Sequence, residues 1–179
     1  MLLIDTCKKD MLSAFHIKKV EIIDATDFSN VAKKVACDLR KIGEEVSKDY
    51  LERGILALKQ YYAIALFDPA NYHAVSEKVD PFWHAHILHT KEYIHFSEQV
   101  AGSYMHHEPL DHSNLPEVKK VRCLYEYSLE CYRQFFSSYD KEFTPDYLSD
   151  EELMCTHGYI LSSFALLPRN EKLHLMMAH

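Results

Sequence analysis

Seven of the chain's twelve histidines fall between positions 84 and 112: His84, His86, His89, His95, His106, His107 and His112. Imidazole is the commonest protein ligand for divalent metals and also carries protons near neutral pH. Either chemistry needs several rings to converge on one point, so their directions matter more than their number. The segment from Asp80 to about Val100 reads as a single helix. Asp80 suits its N-cap, Pro81 its first helical position and Gly102 its C-cap. At about 100° per residue, Ile87, Thr90, Ile94 and Ala101 lie within roughly 40° of Trp83 and mark a core-facing stripe. His86 and His89 then share one half-buried flank with Tyr93 and Val100, as an i, i+3 pair able to hold one ion. His84 and His95 point away with Lys91 and Gln99, and an ideal helix does not bring His84 and His86 to the same ion.

Further ligands have to come from the loop that follows. His89 stands about 18 Å from the helix end at 1.5 Å per residue. Five extended residues reach roughly 17 Å. A loop that doubles back therefore brings His107, or its neighbour His106, to the level of His89, while the other of the two points outward. His112 reaches farther along.

The same residues carry a resemblance. The run Asp80-Pro-Phe-Trp83-His84-Ala-His86-Ile-Leu-His89-Thr90-Lys-Glu-Tyr93, then Gly102, then Met105-His106-His107-Glu-Pro109, resembles the glycine-rich domain-containing protein-like family. That group comprises the N-terminal domain of plant glycine-rich-domain proteins and its bacterial relatives. The resemblance covers residues 80–109 and implies that Asp80, Trp83, His84, His86, Thr90, Tyr93 and His107 occupy motif positions of a shared local site. It implies no particular activity. Position 89 is His where bacterial relatives often carry Asp, and the chain has no glycine-rich tail.

These readings combine into an expected divalent-metal site, with Zn or Fe as the ion. His86 and His89 supply one helical face, and His107 (or His106) closes the site from the loop. Asp80 and His84, an i, i+4 pair, support it, a carboxylate orienting an imidazole being ordinary around metals. Thr90 and Tyr93 stand behind the ligands, Tyr93 as a hydrogen-bond donor. Three protein ligands with an open fourth position would suit metal-assisted hydrolysis of an unidentified small molecule. The competing expectation is a non-enzymatic module that binds another protein, the histidine and tyrosine motif being a hydrogen-bonded clasp between helix and loop. Whether the chain is an enzyme stays open at this stage. Glu92-x-x-His95 and Glu171-x-x-His174 have the spacing of di-iron bundles. However, Glu92 and His95 fall on the polar face, and Glu171 lies in a short tail segment.

The elements that must position these groups are mainly helical. Val31, Val35, Leu39 and Ile42 give a first helix after Asp27 and Ser29. Leu51, Ile55, Leu58, Tyr62 and Leu66 give a second, capped by Ser47 and ended by Asp68-Pro69. The third is the histidine helix, followed by a turn-rich stretch from Tyr104 to Pro116. A fourth spans about Glu117 to Ser138 and carries a rich aromatic set, read as core. Ser149 as cap, with Asp150, Glu151 and Glu152 in the first turn where the helix dipole favours acids, predicts a short helix ended by Gly158. Tyr159 to Leu167 could be helix or strand, and a last short helix follows Asn170. Lys18 to Asp24 could be a short N-terminal strand or part of a helix. The expectation is an all-α, single-domain bundle over residues 1–179, with about four main helices and short C-terminal ones.

Composition removes several classes. Twenty basic against 27 acidic residues leave a net charge of −7. The basic residues are scattered doublets such as Lys18-Lys19 and Lys119-Lys120, so no stripe for nucleic acid forms. The longest apolar runs, such as residues 61–67, fall far short of the roughly 20 residues a membrane span needs. Five cysteines at 7, 37, 123, 131 and 155 make an odd count without C-x-x-C spacing. They read as reduced thiols of a cytoplasmic protein, although one exported without a cleaved signal peptide would read the same.

Overall fold

The structure is a computed structural model, and it describes residues 1–157 and 165–177. Its first half is helical: α1 (Leu3–Thr6), α2 (Ala14–Ala25), α3 (Ser29–Lys41) and α4 (Lys48–Phe67), with a short 3-10 turn before α2. The hydroxyls of Ser13 and Ser47 accept the backbone N–H groups of His16 and Tyr50 and so start α2 and α4. The stretch from Lys18 to Asp24, open to a strand reading, is helical within α2.

Then follow β1 (His73–Ser76), α5 (Asp80–Leu88), α6 (Thr90–Ala101), β2 (His107–Pro109), α7 (Leu115–Phe135), β3 (Leu153–His157) and α8 (Glu171–Met177). Mainly α is the right class. Among the described residues, however, five helices of twelve or more residues take the place of an expected four. A three-stranded antiparallel sheet, in the order β1-β3-β2, joins them.

Two local readings change, each for a physical reason. The histidine helix is two helices, broken at His89, whose backbone sits at φ −86°, ψ 60°. The break resets the helical phase. On α6 the buried residues are Tyr93, Phe96, Ser97 and Val100, whereas Thr90 and Ile94 of the expected stripe are exposed. The second change follows Ser149. The cap followed by acidic residues does not start a helix but closes a tight turn: Ser149 N–H donates to Glu152 Oε2 at 2.6 Å and Glu152 N–H to Ser149 O at 3.3 Å. The chain leaves this turn as β3, not as a helix. Of the segment Tyr159 to Leu167, residues 159–164, like the stop at Gly158, lie outside the described residues. The last short helix is α8.

Packing is organised around α4 and α7. The larger core gathers Leu58, Tyr61, Tyr62, Ile64 and Phe67 of α4 with Phe82 and Trp83 of α5, Tyr93 and Phe96 of α6, and the C-terminal half of α7. A smaller core joins the N-terminal half of α7 (Val118, Val121, Leu124, Tyr125) to Ala74, Leu153 and Leu173. Each large side chain buried fully contributes roughly 1.5–3 kcal/mol relative to exposure. One close approach sets the seat of α5. A Cβ at Gly54 of α4 would run into the ring of Phe82. No helix of the described residues is long and apolar enough to cross a membrane.

Candidate metal centre

Asp80 is the first residue of α5, and its carboxylate is buried, only 4 % exposed. It does not cap the helix backbone. It turns instead toward three other side chains. Its Oδ1 lies 3.2 Å from His107 Nε2 and 2.8 Å from Cys155 Sγ, and its Oδ2 lies 3.6 Å from His84 Nε2. His84 Nε2 and His107 Nε2 are themselves 2.8 Å apart. Asp80, His107 and Cys155 offer three ligand atoms that all lie within 4.8 Å of one another. His84 stands outside that group and touches only Asp80 and His107, from the solvent side, its side chain 52 % exposed against 12 % for His107.

Each donor is placed by a specific piece of the fold. One turn of α5 puts Asp80 and His84 on the same side. His107 returns to them because Gly102, in the left-handed region at φ 78°, ends α6 and reverses the chain. A buried hydrogen-bond chain fixes the return. Trp83 Nε1–H donates to Tyr93 Oη at 2.9 Å, and Tyr93 O–H donates to the carbonyl of Met105 at 2.6 Å. The Trp83 ring then meets the His107 ring edge-on at 4.8 Å between centroids. Cys155 arrives through sheet register. Pro109 pairs with Cys155 and His107 with His157, so His107 and Cys155 are diagonal neighbours on one face.

The electrostatics favour charge at Asp80. Burial alone would raise its pKa. The hydrogen bonds from His107 and Cys155 and the electrostatic pull of the two neighbouring histidines outweigh burial and hold it below the usual carboxylate value. The Cys155 thiol is pushed well up, first by burial and then by the Asp80 charge, and it donates to that carboxylate.

The other expected residues lie elsewhere. His86 faces away from this cluster into an aromatic nest. Its Nδ1 meets Tyr62 Oη at 2.9 Å, and the rings of Phe28, Tyr93 and Phe96 each stand 5.0 Å from its own. Burial, and then the charge of His89, lower its pKa to about 4, which keeps it neutral. His89 sits at the helix break, with its Nε2 buried and unpartnered. Because the helix ends there, His86 and His89 do not form the i, i+3 pair of one continuous rod. His106 is exposed and rests against Tyr104. Thr90, His95 and His112 are exposed. Glu92 accepts from Asn30 across to α3 rather than facing a bundle interior. Tyr93 supports the site through the loop backbone.

Sequence reasoning missed Cys155. Its usable signal was the alternation of Leu153, Cys155 and His157 in a segment read as helical. It also missed a second convergence, Asp68, His73 and Cys131, at the junction of α4, β1 and α7.

Comparison with known proteins corrects the resemblance drawn from the histidine motif. No curated protein matches the chain, and neither does any solved structure. The family model that matches gives no support to the glycine-rich domain group. The motif that suggested that group is short, and its buried Trp83 and Tyr93 serve the fold as much as the site. The matching stretch, residues 18–144, is well over half of the chain and includes Asp80, His84 and His107, while Cys155 lies beyond it. On that match the protein belongs to the uncharacterised UCP032817-like family.

Proposed function

We propose that this chain is a divalent-metal-binding domain whose ion is held by Asp80, His107 and Cys155, with His84 as fourth ligand. The observation that carries the reading is the crowding around His107 Nε2. It stands 2.8 Å from His84 Nε2 and 3.2 Å from Asp80 Oδ1. One ring nitrogen has one proton or one lone pair, and a single hydrogen bond cannot serve both neighbours well. A cation at the common point serves all of them. Bonds of 2.0–2.3 Å to a tetrahedral ion separate its ligand atoms by roughly 3.3–3.7 Å, so these two contacts, and the 2.8 Å between Asp80 Oδ1 and Cys155 Sγ, would open by only tenths of an ångström. A thiolate and a carboxylate would also neutralise a divalent ion, which suits a semi-buried site. One thiolate, two imidazoles and a carboxylate fit Zn first and Fe second.

Metal-assisted hydrolysis of a small molecule is the activity this centre would support. The buried Asp80 and Cys155 and the partly buried His107 would hold the ion, and the half-exposed His84 can yield its place, leaving a Lewis-acidic position open to solvent. A cytoplasmic setting accords with five free cysteines, three of them buried. The clasp reading rests on a separate observation, the buried Trp83–Tyr93–Met105 chain, which ties α5, α6 and the loop with no ion. Elemental analysis of protein purified without a nickel column separates the two. The metal reading expects an equivalent that His107→Ala removes. Folded protein without that equivalent would leave the clasp, as part of a module for another protein.

A further inference from the structure

The second convergence shares no residue with the first and is fully buried. Asp68 ends α4, His73 opens β1 and Cys131 projects from α7. Asp68 and His73 are 0 % exposed and Cys131 is 1 % exposed. The three present one ligand atom each, all within 4.8 Å of one another. Asp68 Oδ2 is 3.0 Å from His73 Nε2 and 3.8 Å from Cys131 Sγ. The Tyr127 hydroxyl reaches the same oxygen at 2.7 Å.

The far side of two of these donors is also occupied. Asp68 Oδ1 accepts from Asn71 Nδ2 at 2.7 Å, and His73 Nδ1 meets Ser128 Oγ at 3.2 Å. Ligating imidazoles and carboxylates characteristically have their remaining atoms held in this way, which fixes the direction of the binding atom. Here the held atoms leave Oδ2, Nε2 and Sγ facing one another. Tyr127, stacked on the His73 ring at 5.5 Å, closes the fourth side.

We propose that Asp68, His73 and Cys131 form a second, enclosed metal site for a divalent ion of the zinc class, clipping the end of α4 to β1 and α7. On binding, the Cys131 thiol releases its proton to solvent. The thiolate and the Asp68 carboxylate then balance the ion's two charges, so the dry interior holds no net charge. With no solvent-facing ligand the site is structural, and it fills as the chain folds. The first centre, with His84 at the surface, exchanges its ion in the folded state.

The test uses Co²⁺ as probe, with the full chain refolded from denaturant in its presence. Cys155→Ser removes the thiolate of the first centre. In that background the thiolate-to-cobalt charge-transfer band persists, and adding Cys131→Ser abolishes it. Cobalt added only after folding does not produce it. Native circular dichroism without the band in the Cys155→Ser protein overturns the proposal. Should that variant not refold, the wild type decides. Two cobalt equivalents, with a band that Cys131→Ser halves, support a second site. One equivalent, with a band untouched by Cys131→Ser, overturns it. A single equivalent that Cys131→Ser abolishes instead keeps this site and rejects the first.

Discussion

His84 Nε2 and His107 Nε2 stand 2.8 Å apart across 23 residues of sequence. One comes from a helix and the other from a short strand, and both reach the carboxylate of Asp80. Neither ring owes this meeting to its own element alone. The Gly102 reversal and the Tyr93 anchor on Met105 aim the strand.

The four groups of the centre differ in exposure, and their removal differs accordingly. His107→Ala takes away the ring that touches both α5 donors, Asp80 and His84, and metal affinity falls more than about 100-fold. His84→Ala, at the surface, weakens the ion only about tenfold and leaves it bound at stoichiometric loading. Competition with a coloured chelator measures both.

Tyr93→Phe removes the hydroxyl that receives Trp83 and holds Met105. Two buried polar groups then lose their partner, a cost of about 2–3 kcal/mol. Urea unfolding of metal-free protein isolates this loss from any effect on the ion. In loaded protein the same change also weakens the ion, because the strand bearing His107 is no longer tied down.

Gly54→Ala separates helix propensity from packing. Alanine in a helix gains roughly 0.5–1 kcal/mol over glycine. Here its Cβ enters the Phe82 ring. Overpacking of this kind costs about 1–3 kcal/mol, so the net change is destabilising. Adding Phe82→Leu restores part of the loss, and a double-mutant cycle in urea reads the coupling.

His86 makes stability fall with acid. Its folded pKa of about 4 lies below the ordinary 6.5, through burial first and the His89 charge second. Between those values the unfolded chain binds the extra proton. Its contribution is therefore fully present above about pH 6.5 and lost as pH drops toward 4, on the order of 3 kcal/mol in all. His86→Phe fills the aromatic nest, leaves Tyr62 Oη unpartnered, and flattens the unfolding midpoint across that window.

Much of this was legible where a local rule acts alone. Ser47 caps α4, Asp68 ends it, and Gly102 closes α6 as the spacing predicts. Chain reach turned the loop back only as far as the level of His89, whereas His107 meets Asp80 and His84 at the start of α5. The break at His89 was not legible, because the apolar period runs through it. Only the tertiary seat of Trp83 against Tyr93 shows that α6 is rotated out of phase. Cys155 and the triad of Asp68, His73 and Cys131 depend on strand register and on helix–sheet contact between segments dozens of residues apart. No spacing in the sequence encodes such contacts.

The central claim concerns the ion at Asp80, His84, His107 and Cys155. The most direct test is the anomalous-scattering map of crystals grown from protein purified without added metal. The account predicts a peak at the zinc or iron edge within bonding distance of Asp80 Oδ1, His107 Nε2 and Cys155 Sγ. An ordered cluster of those four side chains with no anomalous peak, in protein soaked with zinc, would contradict it.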